Sequence, residues 1–141
     1  MQQSDNIVHK VVTYYNEFEE QTRLSGAWGQ IEYERTRRII RHYLKSPPAV
    51  VLDIGGAAGC YACWLAQEGY TVHLVDPVPL HIQQAQAASA AQPETPIASC
   101  NLGDARQLDF DDACADAVLL LGPLYHLIEA QHRHQALTEA Y

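Results

Sequence analysis

The stretch from residue 49 to residue 59 constrains the fold more than any other part of the 141-residue chain. It reads AVVLDIGGAAG, an apolar run that reaches Asp53 and then passes into a glycine-rich turn. A short run that is apolar at consecutive positions is typical of a strand buried on both faces, as in a parallel sheet. Glycines in the turn allow a sharp bend and the close approach of a ligand to the backbone. The stretch therefore predicts a parallel α/β sheet with a ligand site where its first strand ends.

The remaining sequence continues this alternation of strands and helices. Apolar runs predict strands at 49–54, 71–75, 96–101 and 115–121, and helical patterns predict helices at 60–69, 79–92 and 125–141. Two amphipathic helices, 7–24 and 30–45, precede them and are separated by SGAWG. The apolar face of the first helix is formed by Val8, Val11, Val12, Tyr15 and Phe18. This order predicts a doubly wound α/β fold with right-handed crossovers, in which a helical segment at residues 1–46 precedes a sheet domain at residues 47–141.

The charge of the chain is divided unevenly and limits the ligands to be expected. The net charge is −8; residues 1–50 hold seven Lys and Arg against six Asp and Glu, whereas residues 51–141 hold two against eleven. An acidic body disfavours binding to nucleic-acid phosphates and suits a cationic or neutral small ligand. No apolar run approaches the ~20 residues that span a bilayer, and the N-terminus lacks the layout of a signal peptide. We therefore expect no membrane partner, a cytoplasmic location and reduced cysteines.

The glycine loop distinguishes between two kinds of nucleotide-like cofactor. Against the dinucleotide pattern GxGxxG, counted from Gly55, the second glycine is replaced by Ala57 and the third by Cys60, which weakens a nicotinamide interpretation. The pattern Asp-x-Gly-x-Gly-x-Gly fits better, since Asp53, Gly55 and Gly59 match it. Ala57 stands at the middle glycine, and it is tolerated there if its φ is not positive. In this form the loop resembles that of the class I S-adenosylmethionine-dependent methyltransferases.

Three later motifs extend the resemblance over nearly the whole chain. Asp76 follows the second strand about twenty residues after the loop, where a carboxylate can accept hydrogen bonds from both ribose hydroxyls; the alternative is an ordinary helix cap. Asp104 lies in the third motif, NLGDARQLDF; the resemblance places its carboxylate at the amino group of an adenine ring, and the alternative is a simple turn. The fourth motif, DAVLLLGPLYHL, contains Tyr125 and His126.

The resemblance implies a sheet of strand order 3-2-1-4, with the family's later strands absent, and S-adenosyl-L-methionine as cofactor. It implies methyl transfer to a small-molecule acceptor, with His126 and Tyr125 facing the methyl group and Tyr15 closing over the cofactor from a helical lid. The implied cofactor-binding residues are Tyr15, Asp53, Gly55, Gly56, Ala57, Gly59, Asp76, Pro77, Asp104, Ala105 and Leu121.

Other interpretations of the same residues stay open. Cys60 and Cys63 form a CxxC at a helix start, which is typical of a thiol redox protein, although that function leaves the aspartates unexplained. Zinc binding is weaker, because the Cys and His spacings do not give four ligands. The chain could also bind the cofactor without turnover. The arginines of RTRRIIR fit either a solvated helix face or a site for an anionic group.

The last predicted strand raises a question about assembly. The chain ends inside a helical pattern, so strand 115–121 would lie at a bare edge of the sheet. An apolar edge strand is a pairing hazard that proteins normally cover. We therefore expect either that the chain is a fragment or that a second copy forms a homodimer through this edge.

Overall fold

The computed structural model describes residues 2–17 and 20–141. Phe18, which we predicted to belong to the apolar face of the first helix, lies outside the described residues. The helices are α1 (Gln2–Glu17), α2 (Glu20–Arg23), α3 (Ala27–Tyr43), α4 (Cys60–Gln67), α5 (Pro79–Ala90), α6 (Pro123–His126) and α7 (Ala130–Ala140). The strands are β1 (Val50–Ile54), β2 (Thr71–Asp76), β3 (Ser99–Leu102) and β4 (Ala117–Leu119).

The four strands form one parallel sheet in the order β3-β2-β1-β4, which confirms the predicted fold class and strand order. In the register of the sheet, Asp53 of β1 lies beside Leu74 of β2 on one side and Leu119 of β4 on the other. Because the strands are parallel, their carboxyl ends meet at one edge. Asp53, Asp76 and the loops after β3 and β4 are thereby brought together.

β1 is buried on both faces, as its apolar sequence predicts, and β2 beside it is buried along most of its length. On one face Val51 and Leu74 pack with Leu65 of α4 and Ala85 of α5, and Ile40 of α3 joins the same cluster. On the other face a smaller cluster forms around Leu52, Ile54 and Val75, with Leu108, Phe110 and Val118 packed against it. The sheet is therefore a rigid base for the loops at its carboxyl edge.

Several predicted helix boundaries are wrong, and α1 begins at Gln2 instead of residue 7. The helix predicted at 125–141 is two helices, α6 and α7, and Arg133 Nη1 donates to the carbonyl oxygen of Leu127 at the break, over 2.7 Å. SGAWG interrupts the N-terminal helices only briefly, since α3 begins at Ala27. Gly29 permits that tight junction, because a Cβ there would lie 2.5 Å from the carbonyl oxygen of Arg23.

None of the described helices combines the length and the apolarity that crossing a bilayer requires.

Candidate cofactor site

A cavity of about 670 Å³ lies at the carboxyl edge of the sheet, beneath α1. Its volume falls in the range of small-molecule sites. Among the residues predicted from sequence to bind or react, all except Gly59 line it: Tyr15, Asp53, Gly55, Gly56, Ala57, Asp76, Pro77, Asp104, Ala105, Leu121, Tyr125 and His126. The fold thus brings residues from both ends of the chain to one cavity. Trp28, in the SGAWG segment, is 87% exposed and lies outside this lining.

The glycines of the loop have different structural roles. Gly55 has a φ of +74°, and a Cβ there would lie 2.7 Å from the side chain of Pro123. A Cβ on Gly56 would lie 2.7 Å from Asp53 Oδ2. Gly59 has a φ of +85° and faces α5 instead, since its Cβ would lie 3.1 Å from that of Ala85. Gly55 and Gly56 therefore shape the cavity, whereas Gly59 allows α4 to pack closely.

Ala57 does not have the non-positive φ under which we expected an alanine to be tolerated here. Its φ is +48°, in the left-handed region, where the Cβ of an L-residue is strained. This conformation accompanies a hydrogen bond from the Ala57 N–H to Asp76 Oδ2, over 2.9 Å. The expectation that a non-glycine residue costs little here is therefore wrong, and the hydrogen bond joins the loop to the end of β2.

Asp76 is buried and already accepts several hydrogen bonds. Its Oδ2 accepts from Ala57, while its Oδ1 accepts from the Val78 N–H over 3.0 Å and from His81 Nδ1 over 2.9 Å. The Val78 bond is an Asx-type turn before α5 and not the helix cap that we set against ribose binding, because Val78 itself is the N-cap residue. Asp76 therefore holds the loop and the start of α5 together while lining the cavity.

His81 is a cavity-lining residue that sequence reasoning missed. It occupies the third position of α5 and is 2% exposed. Its Nδ1 is bonded to Asp76, and its Nε2 is buried with no hydrogen-bond partner among the residues that the structure describes. The signal in the sequence was a histidine five residues after Asp76 in the first turn of a helix, close enough to fold back onto that carboxylate.

Asp53 is the most perturbed acid of the cavity. It is 2% exposed, and within the described part of the chain its Oδ2 has no hydrogen-bond partner. Burial, followed by the negative charge of Asp76, raises the pKa of Asp53 to about 7. A perturbed carboxyl group in a cavity is typical of functional sites, and here it favours a positively charged ligand.

Asp104 forms an ion pair that the sequence did not predict. It accepts hydrogen bonds from the backbone N–H of Arg106 over 2.9 Å and from Arg106 Nε over 3.0 Å. Burial alone would raise the pKa of Asp104, but the hydrogen bonds from Arg106 outweigh it and lower that pKa. Arg106 also lines the cavity, so the region assigned to the adenine ring presents a paired carboxylate.

Tyr15 connects the lid helix α1 to the sheet domain. Its Oη lies 2.8 Å from His126 Nε2, within hydrogen-bond distance. Its ring also packs edge-on against His81, with 4.8 Å between ring centroids. Tyr125 lines the cavity but is 71% exposed, so it lies at the rim.

The thiols lack the properties of a redox pair. Partial burial raises the pKa of the Cys60 thiol and takes that of Cys63 to about 11. A reactive cysteine needs the opposite shift, which stabilises the thiolate. All four cysteines are free, and no group of three or more His, Cys, Asp or Glu side chains suited to a metal occurs in the described ranges.

The arginines of α3 do not supply the cavity with a cation. Arg37 lies over the ring of Trp64, 4.8 Å from its centroid, and Arg41 forms an ion pair with Glu68. Two arginines line the cavity: Arg23, which pairs with Glu32 over 2.8 Å, and Arg106, which pairs with Asp104. Arg37 and Arg41 therefore have structural roles outside the cavity.

A family model described as a methyltransferase domain matches residues 51–141, which is more than half of the chain. The chain belongs to this methyltransferase-domain family. The predicted class I family and α/β fold are thereby confirmed, and S-adenosylmethionine is the cofactor that this family binds. No curated protein sequence matches the chain significantly.

Solved structures agree with this methyltransferase assignment. The PH0226 protein from Pyrococcus horikoshii OT3 is 25% identical with a TM-score of 0.76, and the match covers 90% of this chain and 58% of that one. A SAM-dependent methyltransferase from Methanosarcina mazei is 26% identical with a TM-score of 0.64, over 72% of this chain and 49% of that one. Magnesium protoporphyrin IX methyltransferase from Synechocystis PCC 6803, solved with bound SAM, is 19% identical with a TM-score of 0.75. That match covers 95% of this chain and 70% of the other, and at this identity it supports the fold alone. This chain therefore spans about half of the length of the first two.

Proposed function

We propose that this methyltransferase-family chain binds S-adenosyl-L-methionine in the cavity beneath α1 and transfers its methyl group to a small-molecule acceptor. The observation that carries the proposal is the convergence of all four sequence motifs on one cavity of about 670 Å³. Membership of the family supports the same cofactor.

The residues of the cavity fit the chemistry of this cofactor. S-adenosylmethionine carries a sulfonium and an ammonium group, and the cavity presents the carboxyl groups of Asp53 and Asp76. The unpaired Oδ2 of Asp53 can accept a hydrogen bond from a cationic donor. Gly55 and Gly56 let the loop pack closely against Pro123 and Asp53, which line the same cavity. We assign the cofactor to the loop, Asp76 with Pro77, Asp104 with Ala105, and Leu121.

The bound cofactor would supply a methyl group on a positively charged sulfur, which is already a good leaving group. The task of the chain is then to align the acceptor and to receive any proton that it loses. We assign the second task to His126, whose Nε2 lies 2.8 Å from Tyr15 Oη. An acceptor proton passes to Tyr15 Oη as the tyrosine proton passes to His126. Tyr125 contacts the acceptor at the rim.

Cofactor binding without turnover is a second candidate function. It is favoured by the length comparison, because this chain spans 58% and 49% of the first two solved structures. The two candidates differ in one product. Turnover produces S-adenosylhomocysteine from S-adenosylmethionine in the presence of an acceptor, whereas a binding domain leaves the cofactor intact.

Calorimetric titration of the chain with S-adenosylhomocysteine and with NADH tests the proposal. We expect S-adenosylhomocysteine to bind with one site per chain and NADH not to bind. Asp76→Asn should weaken that binding at least about tenfold, because charge-assisted hydrogen bonds are lost. Asp111→Asn, at an exposed position outside the cavity, is the matched control and should leave the affinity unchanged. A folded sample that does not bind S-adenosylhomocysteine would contradict the proposal.

The free edge of β4 supports a proposal about assembly. Among the described strands β4 pairs only with β1, so its outer edge keeps unpaired backbone groups. We propose that a second copy covers this edge in a homodimer.

A further inference from the structure

The buried imidazole of His81 presents an atom that the protein leaves unsatisfied. Its Nε2 is buried and has no hydrogen-bond partner within the described ranges, although the ring lines the cavity. An unpaired buried polar atom is unfavourable, so its presence in a residue that lines a cavity needs a reason. In a neutral imidazole whose Nδ1–H donates to Asp76, Nε2 carries the lone pair. A ring that lines the cavity therefore carries an unused acceptor suited to an O–H or N–H donor.

The hydrogen bonds of Asp76 limit what that carboxylate can still accept. Two carboxylate oxygens offer about four lone-pair positions in total. Ala57 takes one on Oδ2, while Val78 and His81 take those on Oδ1. Room remains for about one further donor, on Oδ2. Asp76 alone therefore has too few free positions for both of the ribose hydroxyls that we expected it to bind from the sequence.

We propose that His81 is a sugar-binding residue of the cavity, and that its Nε2 accepts a hydrogen bond from one ribose hydroxyl while Asp76 Oδ2 accepts from the other. The inference rests on the proposed binding of S-adenosylmethionine, and it extends that site by a residue that the motifs do not contain. Asp76 also has a second role here, since it fixes the imidazole with its lone pair on Nε2.

The position of His81 favours a ribose hydroxyl over the other donors of the cofactor. Its ring is joined to Asp76 by a bond of 2.9 Å, so the two acceptors are neighbours on one wall. Hydroxyls on adjacent carbons of a sugar are neighbouring donors of the same kind. The ammonium group is better served by the unpaired Oδ2 of Asp53, because a carboxylate attracts a cation and a neutral imidazole does not.

Calorimetry on the full chain with S-adenosylhomocysteine and with its 2′-deoxy and 3′-deoxy analogues tests the inference. The variant His81→Asn removes Nε2, while its amide can still donate to Asp76 in place of Nδ1. We expect it to weaken S-adenosylhomocysteine binding about three- to tenfold, the range of a lost neutral hydrogen bond. This loss should disappear with one deoxy analogue. The loss caused by Asp76→Asn should be reduced with the other analogue.

Several outcomes would overturn the inference. One is an equal loss in His81→Asn for all three ligands, which would give His81 a merely structural role. Another is that both substitutions lose their effect with the same analogue, which would mean that His81 acts only through Asp76. A third is unchanged affinity of His81→Asn for S-adenosylhomocysteine. If the wild-type chain binds none of the three ligands, the proposed function itself fails.

Two further variants make these results interpretable. His81→Gln can place its side-chain carbonyl near the position of Nε2, so it should bind within about threefold of the wild type. If His81→Asn does not fold, failure of a folded His81→Gln to bind in this range contradicts the inference. His134→Asn, at an exposed position of α7, is the matched histidine control and should change nothing.

Discussion

Backbone strain at a single residue, Ala57, is part of how the glycine loop meets β2. The left-handed φ of +48° coincides with the hydrogen bond that the Ala57 N–H donates to Asp76. Glycine adopts this conformation without a Cβ penalty. We therefore expect Ala57→Gly to increase the free energy of unfolding by about 0.5–1 kcal/mol, measured by urea denaturation. Ala58→Gly, at a neighbouring position for which no positive φ occurs, is the matched control and should not stabilise the chain.

The carboxyl group of Asp53 predicts how stability depends on pH. Burial and the charge of Asp76 raise its pKa to about 7 in the folded chain, above the ordinary value of 3.8. The folded state therefore holds a proton that the unfolded state releases, so this contribution is full below about pH 4 and is lost as pH rises towards 7. Each unit of pKa corresponds to about 1.4 kcal/mol.

Comparing the wild type with Asp53→Asn separates the contribution of Asp53 to the pH dependence of stability from the contribution of the histidines. Urea denaturation at pH 5, 6, 7 and 8 should show the wild type losing stability relative to Asp53→Asn as pH rises to 7. Above pH 8 the difference should be constant. Parallel pH profiles of the two proteins would show that Asp53 ionises normally.

At the scale of elements, α1 lies over the cavity through Tyr15. Tyr15→Phe keeps the ring contact with His81 but removes the Oη that lies 2.8 Å from His126 Nε2. Losing one such hydrogen bond costs about 0.5–1.5 kcal/mol. We expect amide hydrogen exchange in α1 to become about two- to tenfold faster, while exchange in β1 and β2 is unchanged.

The matched control for α1 is Tyr43→Phe, at the exposed end of α3. It should leave exchange in α1 as it is in the wild type. Unchanged exchange in Tyr15→Phe would mean that other contacts hold α1 over the cavity.

At the scale of the whole molecule, the free edge of β4 bears on whether the chain is a monomer or a homodimer. If a second copy pairs with this edge, light scattering should give a mass near twice 15.7 kDa at high concentration. The mass should fall towards that of one chain on dilution, because dimer formation depends on concentration. A mass of one chain at every concentration would contradict the homodimer.

The local sequence already predicted most of the sheet and several residues of the site. β1 is an apolar run up to Asp53, which indicates burial on both faces, and the parallel order then places Asp53 and Asp76 at one edge. The boundaries of α6 and α7 were wrong, because the bond from Arg133 to the backbone at the break is a contact between side chain and main chain that no periodicity reports.

The sequence by itself determined the fold class, because this depends on local polarity patterns, and the family resemblance supplied the proposed cofactor motifs. The tertiary structure decided which polar groups at the cavity have hydrogen-bond partners and which do not. The role of Gly59 in packing, the strained Ala57, the pairing of Asp104 with Arg106 and the unpaired Nε2 of His81 all depend on contacts between distant elements. Hydrogen-bond satisfaction is a property of three-dimensional neighbours, and neighbours are specified only once the chain has folded.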